Sequence, residues 1–289
     1  MKEENVHALK YREAKAPQGD PASPVASLFR LDDRTIVVTG ATGFLGTTVA
    51  ATILESGGDV VCLDVMETPS SADWKTVEKA ADQYSRNLWY YQCDVRDAAQ
   101  VTSVFNKLVS KIEHPLRGLV GCAGVSDNGP AVDFPVDAFR RLLDINLTGT
   151  FLVAQAVAKE VIKANVSASM VLVASMSGYV SNKGVDTAAY NSSKAGVHQL
   201  ARSLAAEWGS RVGTPLIRVN SLSPGYIRTA ATAEALQKPG MESQWVGDNM
   251  LYRLSTVDEF RAPVLYLLGD GSSFMTAADL RVDGGHCSW

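Results

Sequence analysis

Short apolar, β-branched runs alternate along the chain with longer stretches whose apolar residues recur every three or four positions. The pattern predicts strands at about 35–38, 60–63, 88–92, 117–121, 169–174, 217–222 and 279–282. Between them it predicts helices at about 44–56, 71–84, 97–111, 136–164, 187–208 and 257–268. Asp97 and Thr256 stand where N-caps belong, and Glu259 completes a capping box behind Thr256. Strand and helix alternating in this way is the signature of parallel βα units, which predicts an α/β fold: a single-domain, doubly wound parallel sheet of about seven strands flanked by helices. In such a sheet, ligands lie outside the carboxyl ends of the strands.

Composition sets limits on partners. With 289 residues, 46% of them hydrophobic, the chain can bury a large core. A net charge of -4 and a pI near 5.6, with no run of Lys or Arg, argue against a nucleic-acid surface. The four cysteines, Cys62, Cys93, Cys122 and Cys287, show neither metal-ligand spacing nor a disulfide pattern, so no metal is expected and a reducing, cytoplasmic compartment is. Residues 1–26 are polar and rich in Lys, Glu, Pro and Ser, and read as a flexible N-terminal extension to a catalytic domain spanning 27–289. The apolar stretch Phe151 to Val161 is interrupted by Gln155, Lys159 and Glu160, so no membrane span is expected.

The candidate chemistry converges on three motifs. Tyr190 and Lys194 are four apart on one predicted helix and so share a face, with Ser175 at the end of the preceding strand. A fixed ammonium beside a phenol is expected to pull the phenol below its usual pKa of ~10 and make it a usable acid-base group. Near the front, Thr39-Gly40-Ala41-Thr42-Gly43-Phe44-Leu45-Gly46 joins a strand to a helix, which predicts a phosphate cradle of glycine backbone and free helical N–H groups. The next strand ends in Asp64, where a carboxylate accepts from ribose hydroxyls and repels a 2′-phosphate. The turn holds no Arg or Lys, so NAD(H) is expected in preference to NADP(H).

These residues resemble the short-chain dehydrogenase/reductase family, and the likeness runs from about Leu28 to Trp289. Further matches are Cys93-Asp94-Val95, Gly121-Cys122-Ala123-Gly124 in place of the usual Asn-Asn-Ala-Gly, Asn146 in Asp144-Ile145-Asn146-Leu147, and Ser223-Pro224-Gly225-Tyr226-Ile227-Arg228-Thr229. The resemblance implies a Rossmann-type fold and a catalytic set of Asn146, Ser175, Tyr190 and Lys194. Tyr190 exchanges the proton on the substrate oxygen, Ser175 hydrogen-bonds that oxygen, Lys194 also holds the nicotinamide ribose, and Asn146 fixes a relay water. The implied cofactor contacts are Gly40, Thr42, Gly43, Phe44, Leu45, Gly46, Asp64, Asp94, Val95, Cys122, Ala123, Gly124, Tyr190, Lys194, Pro224, Gly225, Ile227 and Thr229. One departure is Phe44, which stands where the middle glycine of the family turn is expected. The spacing of Gly40, Gly43 and Gly46 is instead that of an extended branch of the superfamily.

Several stretches, among them Ala174-Ser175-Met176-Ser177-Gly178 and the C-terminal Val282-Asp283-Gly284-Gly285-His286-Cys287-Ser288-Trp289, are most similar to fungal polyol and ketose reductases of the mannitol, arabinitol and sorbose dehydrogenase kind. The expected activity is therefore hydride transfer between a nicotinamide and a secondary alcohol or ketone, such as a polyol/ketose pair. Two alternatives stay open: a reductase, lyase or cyclase acting on a bulkier secondary metabolite, and a cofactor-binding regulatory protein without turnover. Residues from about 226 to 255 have the position of a substrate lid, with Ser177, Asn182 and Trp245 as candidate substrate contacts and Asn128 and Asp186 as further polar groups. Trp289 covers the pocket or packs at a subunit interface. The apolar surface of the helix after Tyr190 and of the one containing Phe151, together with the resemblance, implies a homodimer or homotetramer.

Overall fold

The structure, a computed structural model, describes residues 24–69 and 73–289. After a 3-10 turn at Val25–Phe29, seven strands follow: β1 Thr35–Thr39, β2 Asp59–Asp64, β3 Leu88–Gln92, β4 Leu116–Gly121, β5 Ala168–Val173, β6 Ile217–Pro224 and β7 Asp279–Val282. They form one sheet in the order β3-β2-β1-β4-β5-β6-β7, every neighbouring pair parallel. Nine helices are described: α1 Phe44–Glu55, α2 Trp74–Tyr84, α3 Ala98–Leu108, α4 Val136–Leu143, α5 Thr150–Ala164, α6 Ala188–Ser210, α7 Ala230–Leu236, α8 Met241–Gly247 and α9 Arg261–Leu268. The expected helix at 71–84 begins partly outside the described residues, as does most of the expected extension at 1–26.

Alternation along the strands sorts the core into two layers. In β1, Val37 faces α3, α5 and α6, whereas Ile36 and Val38 face α1, α2 and α9. In β5, Met170 and Leu172 take the first side, Val171 and Val173 the second. Covering both faces removes the need for polar alternates, which is why these strands read as continuous apolar runs. Asp97 caps α3, its Oδ1 accepting from the backbone N–H of Ala99 at 2.8 Å and Gln100 at 3.1 Å. Thr256 and Glu259 form the expected capping box ahead of α9.

Two local features depart from the expected elements. The single helix expected at 136–164 is interrupted by a π-helical turn, Asp144–Gly149, between α4 and α5. The wider turn turns Asn146 inward, leaving it 1% exposed. Gly149 fits there because Val95 packs against it, and a Cβ at this glycine would come within 2.5 Å of Val95 Cγ2. The segment after β6 is not an open loop: it carries α7 and α8, and Ile227 bridges to Ser255 at its far end. Among the described residues, no helix is long and apolar enough to cross a membrane.

Strand order reverses at β1, which lies between β2 and β4, and this switch point opens a crevice at the carboxyl ends of the strands. Asp64 ends β2, Gly40, Cys122 and Gly225 follow directly on β1, β4 and β6, and Ser175 lies two residues past β5, so all five fall at its rim.

Candidate active site

The glycine turn is held by steric fit. Gly40 adopts φ +61, and a Cβ on it would lie 2.8 Å from the backbone of Ala123. A Cβ on Gly46 would lie 2.1 Å from the carbonyl oxygen of Gly40. Gly43 is the N-cap of α1 and offers no side-chain cap, so the N–H groups of the first turn lack intrahelical partners and point out of the helix end. Asp64 is buried, and its Oδ2 accepts from both the backbone N and Oγ1 of Thr42, each at 2.9 Å. The carboxylate therefore braces the turn as well as marking the end of β2. Phe44 is 43% exposed at the start of α1, while Leu45 packs into the core. Uncapped N–H groups, glycines with no room for a side chain, and a buried acid at the neighbouring strand end together fit a dinucleotide.

Across the crevice, Asp94 is engaged by Arg96, whose Nε and Nη2 donate to its two oxygens at 2.6–3.1 Å and hold its carboxyl below the usual range. Val95 is buried against Gly149. The backbone N of Ala123 donates to Thr39 Oγ1 at 3.1 Å, tying the end of β4 to that of β1. Cys122 is half-buried, and burial pushes its thiol up to about 12. Gly225 lies against Asp283, where a Cβ would come within 2.7 Å of the backbone. Pro224 ends β6, Ile227 makes the bridge to Ser255, and Thr229 N donates to Thr232 Oγ1 at 3.0 Å.

Ser175, Tyr190, Lys194 and Asn146 come together between β5, α6 and the π-helical turn. Ser175 caps the 3-10 turn Met176–Gly178, its Oγ accepting from Ser177 N at 3.1 Å. Lys194 is buried and its Nζ donates to the carbonyl of Val173 at 2.9 Å. Burial lowers the ammonium to about 8, an effect the nearby Cys122 partly opposes. Asn146 Nδ2 donates to Val125 O and Ser193 Oγ, both at 2.9 Å, and its Oδ1 accepts from Val125 N at 2.9 Å. A Cβ on Gly124 would lie 3.3 Å from Asn146 Oδ1 and 3.4 Å from Lys194 Nζ, so these groups meet at one point.

The electrostatics correct one expectation. Tyr190 is raised above the ordinary phenol value, because burial disfavours the phenolate more than its hydrogen bond with Ser175 favours it. The Lys194 ammonium lies 5.7 Å from the phenol ring centre and is committed to Val173, so its field does not outweigh burial and the phenol stays above its usual value.

The lid side is aromatic. Tyr226 stacks on Trp245 with ring centres 3.8 Å apart and planes 5° from parallel, and it meets His286 edge-on at 5.4 Å. Trp245 is 3% exposed, and both its Nε1 and His286 Nδ1 are buried without a hydrogen-bond partner. Asn182 Nδ2 donates to Tyr226 OH at 3.1 Å and its Oδ1 accepts from Thr187 Oγ1 at 3.1 Å, so its amide braces the loop before α6. Ser177 is buried beside Ser175. Asn128 and Asp186 sit on neighbouring loops, joined by the Gly129 N to Asp186 O bond at 2.9 Å. Trp289 is largely exposed and donates from Nε1 to Asp248 O at 2.7 Å, which pins the C-terminal tail to the end of α8. Sequence reasoning missed the parts of Tyr226, His286, Ser193 and Thr39, since each is set by partners far away along the chain.

Comparison with known proteins agrees with this geometry. The family model described as Enoyl-(Acyl carrier protein) reductase matches residues 40–286. A curated protein of Aspergillus versicolor named Short chain dehydrogenases/reductase notP' is 70% identical, the match covering 99% of this chain and 98% of the relative. The NADH-dependent L-xylulose reductase of Ambrosiozyma monospora is 35% identical over 90% of this chain and 97% of its own length. Among solved structures, the NADPH-dependent 3-quinuclidinone reductase from Rhodotorula rubra superposes with a TM-score of 0.81 at 28% identity, covering 94% of this chain and 98% of that one.

Proposed function

The chain belongs to the short-chain dehydrogenase/reductase family of oxidoreductases, and from that premise we propose that its crevice moves a hydride between NAD(H) and a secondary alcohol/ketone pair of the polyol/ketose class. The observation that carries the reading is the meeting of Ser175, Tyr190 and Lys194 at the end of β5, across from the glycine turn and Asp64. When bound, the nicotinamide supplies or accepts the hydride. The protein's own groups handle the proton: Tyr190, held protonated by burial, gives it to the carbonyl oxygen in reduction and takes it back in oxidation. Ser175 orients that oxygen by hydrogen bonding, and Lys194 keeps a positive potential beneath the pocket. Asn146 holds the strand-end segment around Val125 and, in this reading, a relay water beside Lys194.

NAD(H) over NADP(H) is supported by Asp64, whose carboxylate at the ribose end of the crevice disfavours a 2′-phosphate. Asp64→Ser is expected to weaken NADH binding about tenfold and to narrow the gap to NADPH. Fluorescence titration of both nucleotides checks this, and an unchanged preference removes Asp64 from the selectivity argument. The same carboxylate braces Thr42, so the variant's melting temperature is read alongside.

The polyol/ketose class is supported by the similarity to the L-xylulose reductase. A second reading, a bulkier carbonyl substrate, is favoured by the stacked Tyr226 and Trp245 within the lid segment. Nicotinamide absorbance with a panel of five- and six-carbon polyols and ketoses, then bicyclic and aromatic ketones, separates the two. Turnover on sugars alone establishes the first reading, on bulky ketones alone the second, and cofactor binding with neither turns the search to lyase, cyclase or regulatory roles. Pairing of copies through α5 and α6 belongs to the same proposal, supported by Phe151, Leu200 and Trp208, which the single chain leaves partly exposed. A cytoplasmic location is supported by four cysteines that are all free thiols.

A further inference from the structure

At the edge of the sheet opposite the crevice, where β1, β4, β5 and β6 begin, three arginines line one cavity of about 120 Å³ together with Ser167, Ser273 and Asp270. Arg34 precedes β1, and Arg117 and Arg218 stand second in β4 and β6, so parallel pairing delivers all three guanidiniums to the same end of the sheet. Their partners do not balance them. Arg34 Nη2 reaches Asp270 at 2.7 Å, but its Nε is buried with no hydrogen-bond partner. Arg117 donates to the carbonyl and hydroxyl of Ser167, at 3.0 and 2.7 Å. Arg218 is 7% exposed and donates only to neutral acceptors, Ser272 Oγ and the carbonyls of Met275, Leu267 and Gly269, at 2.9–3.2 Å. Asp270, the one carboxylate lining the cavity, is itself about half exposed.

Three cations facing one carboxylate in a partly desolvated space leave an uncompensated field. Burial lowers both Arg117 and Arg218, the latter to about 10, and the Arg34 charge lowers each further. A guanidinium does not give up its proton near neutral pH, so the positive charge stays and an anion is what relieves it. The cavity, about 120 Å³, has room for one tetrahedral oxyanion or one carboxylate or phosphoryl group. Guanidinium forks make their strongest hydrogen bonds to such oxyanions.

We propose that this cavity at the base of the sheet is a binding site for a small oxyanion of the phosphate class, separate from the catalytic crevice. The site shares no residue with the glycine turn or with Tyr190 and its neighbours, so its occupancy reads out as protein stability rather than as competition with the dinucleotide.

The test is a titration of the full-length protein with sodium phosphate against sodium chloride at matched ionic strength, followed by calorimetry and thermal melting, with NADH in excess so that the cofactor's own phosphate cradle is filled. The expected result is saturable binding with a rise in melting temperature, weakened about tenfold or more in Arg117→Gln, a variant that loses one charge-assisted donor pair. With no anion present, Arg117→Gln is expected to melt close to the wild type, because the repulsion it removes offsets the loss of its bonds to Ser167. Arg34→Gln repeats the measurement should the first variant fold poorly, and NADH affinity checks both. Absence of saturable phosphate binding, or equal binding by folded variants, overturns the site. Binding of methyl phosphate as tight as phosphate assigns the site to a phosphorylated metabolite; exclusion of methyl phosphate assigns it to the free ion.

Discussion

Replacing Tyr190 by phenylalanine is expected to cut turnover by roughly 10²–10⁴-fold in both directions, the scale of a positioned acid-base group, while NADH affinity is largely kept. The phenol is buried, raised above its ordinary value and hydrogen-bonded with Ser175, so at neutral pH it is a proton donor at the end of β5. Phenylalanine keeps the ring and its packing and removes only the oxygen. The direction of the pKa also sets the pH behaviour. Ketone reduction needs the protonated phenol and should stay flat from acid to neutral pH, falling only above the raised value. Alcohol oxidation needs the phenolate and should climb with pH throughout the alkaline range. Steady-state kinetics in each direction across pH, with NADH fluorescence for binding, check both statements. Wild-type turnover in the variant would sink the assignment, and a fall confined to KM would turn Tyr190 into a binding group.

How far this was legible in the sequence depends on the range of the forces involved. The inner strands were visible because burial on both faces writes itself into runs such as Val60-Val61-Cys62-Leu63. Asp97 and Thr256 were visible because capping is settled within three residues. The π-helical turn at Asp144–Gly149 was not: its apolar periodicity is that of a helix, and the close approach of Val95 to Gly149 comes from a loop far away along the chain. The position of Asn146 depends on that turn, so its bonds to Val125 and Ser193 could not be read from its neighbours. The helices within the lid were missed for a related reason. Met241, Trp245 and Leu254 build a small core of their own, and a mixed apolar and polar segment gave no clear helical period from which α7 and α8 could be read.

Phe44 and Asp64 show the same division within one motif. The glycine spacing fixed where the turn would be, and Gly40 and Gly46 are as sterically confined as it implied. The sequence assigned Asp64 to a ribose, and in the folded chain its carboxylate accepts from Thr42, so the same acid also sets the shape of the turn. Phe44 stays partly exposed at the first residue of α1. The turn accommodates it because its close approach is made by Gly40 and Gly46.

Lys194→Met is expected to lower turnover by about 10²-fold or more without lowering the melting temperature at pH 7. The two effects share one cause. Burial holds the folded ammonium near 8, against 10.5 in the unfolded chain, so keeping it charged inside the fold costs about 3 kcal/mol at neutral pH. Its bond to Val173 O returns part of this, and losing that bond in the variant costs about 1 kcal/mol, so the balance favours methionine. The sign can be checked by pH alone. Between about 8 and 10.5 the unfolded state binds more protons at this site than the folded state, so this lysine makes the wild type gain stability as pH rises through that window. Methionine does not titrate. Its advantage over the wild type should therefore be largest at pH 7 and shrink toward pH 10, as read by paired thermal melts, while activity stays low throughout. A variant that melts lower than the wild type by the same margin at every pH would mean that Lys194 is held for packing, and that the positive potential assigned to it beneath Tyr190 is not what the fold sacrifices stability to keep.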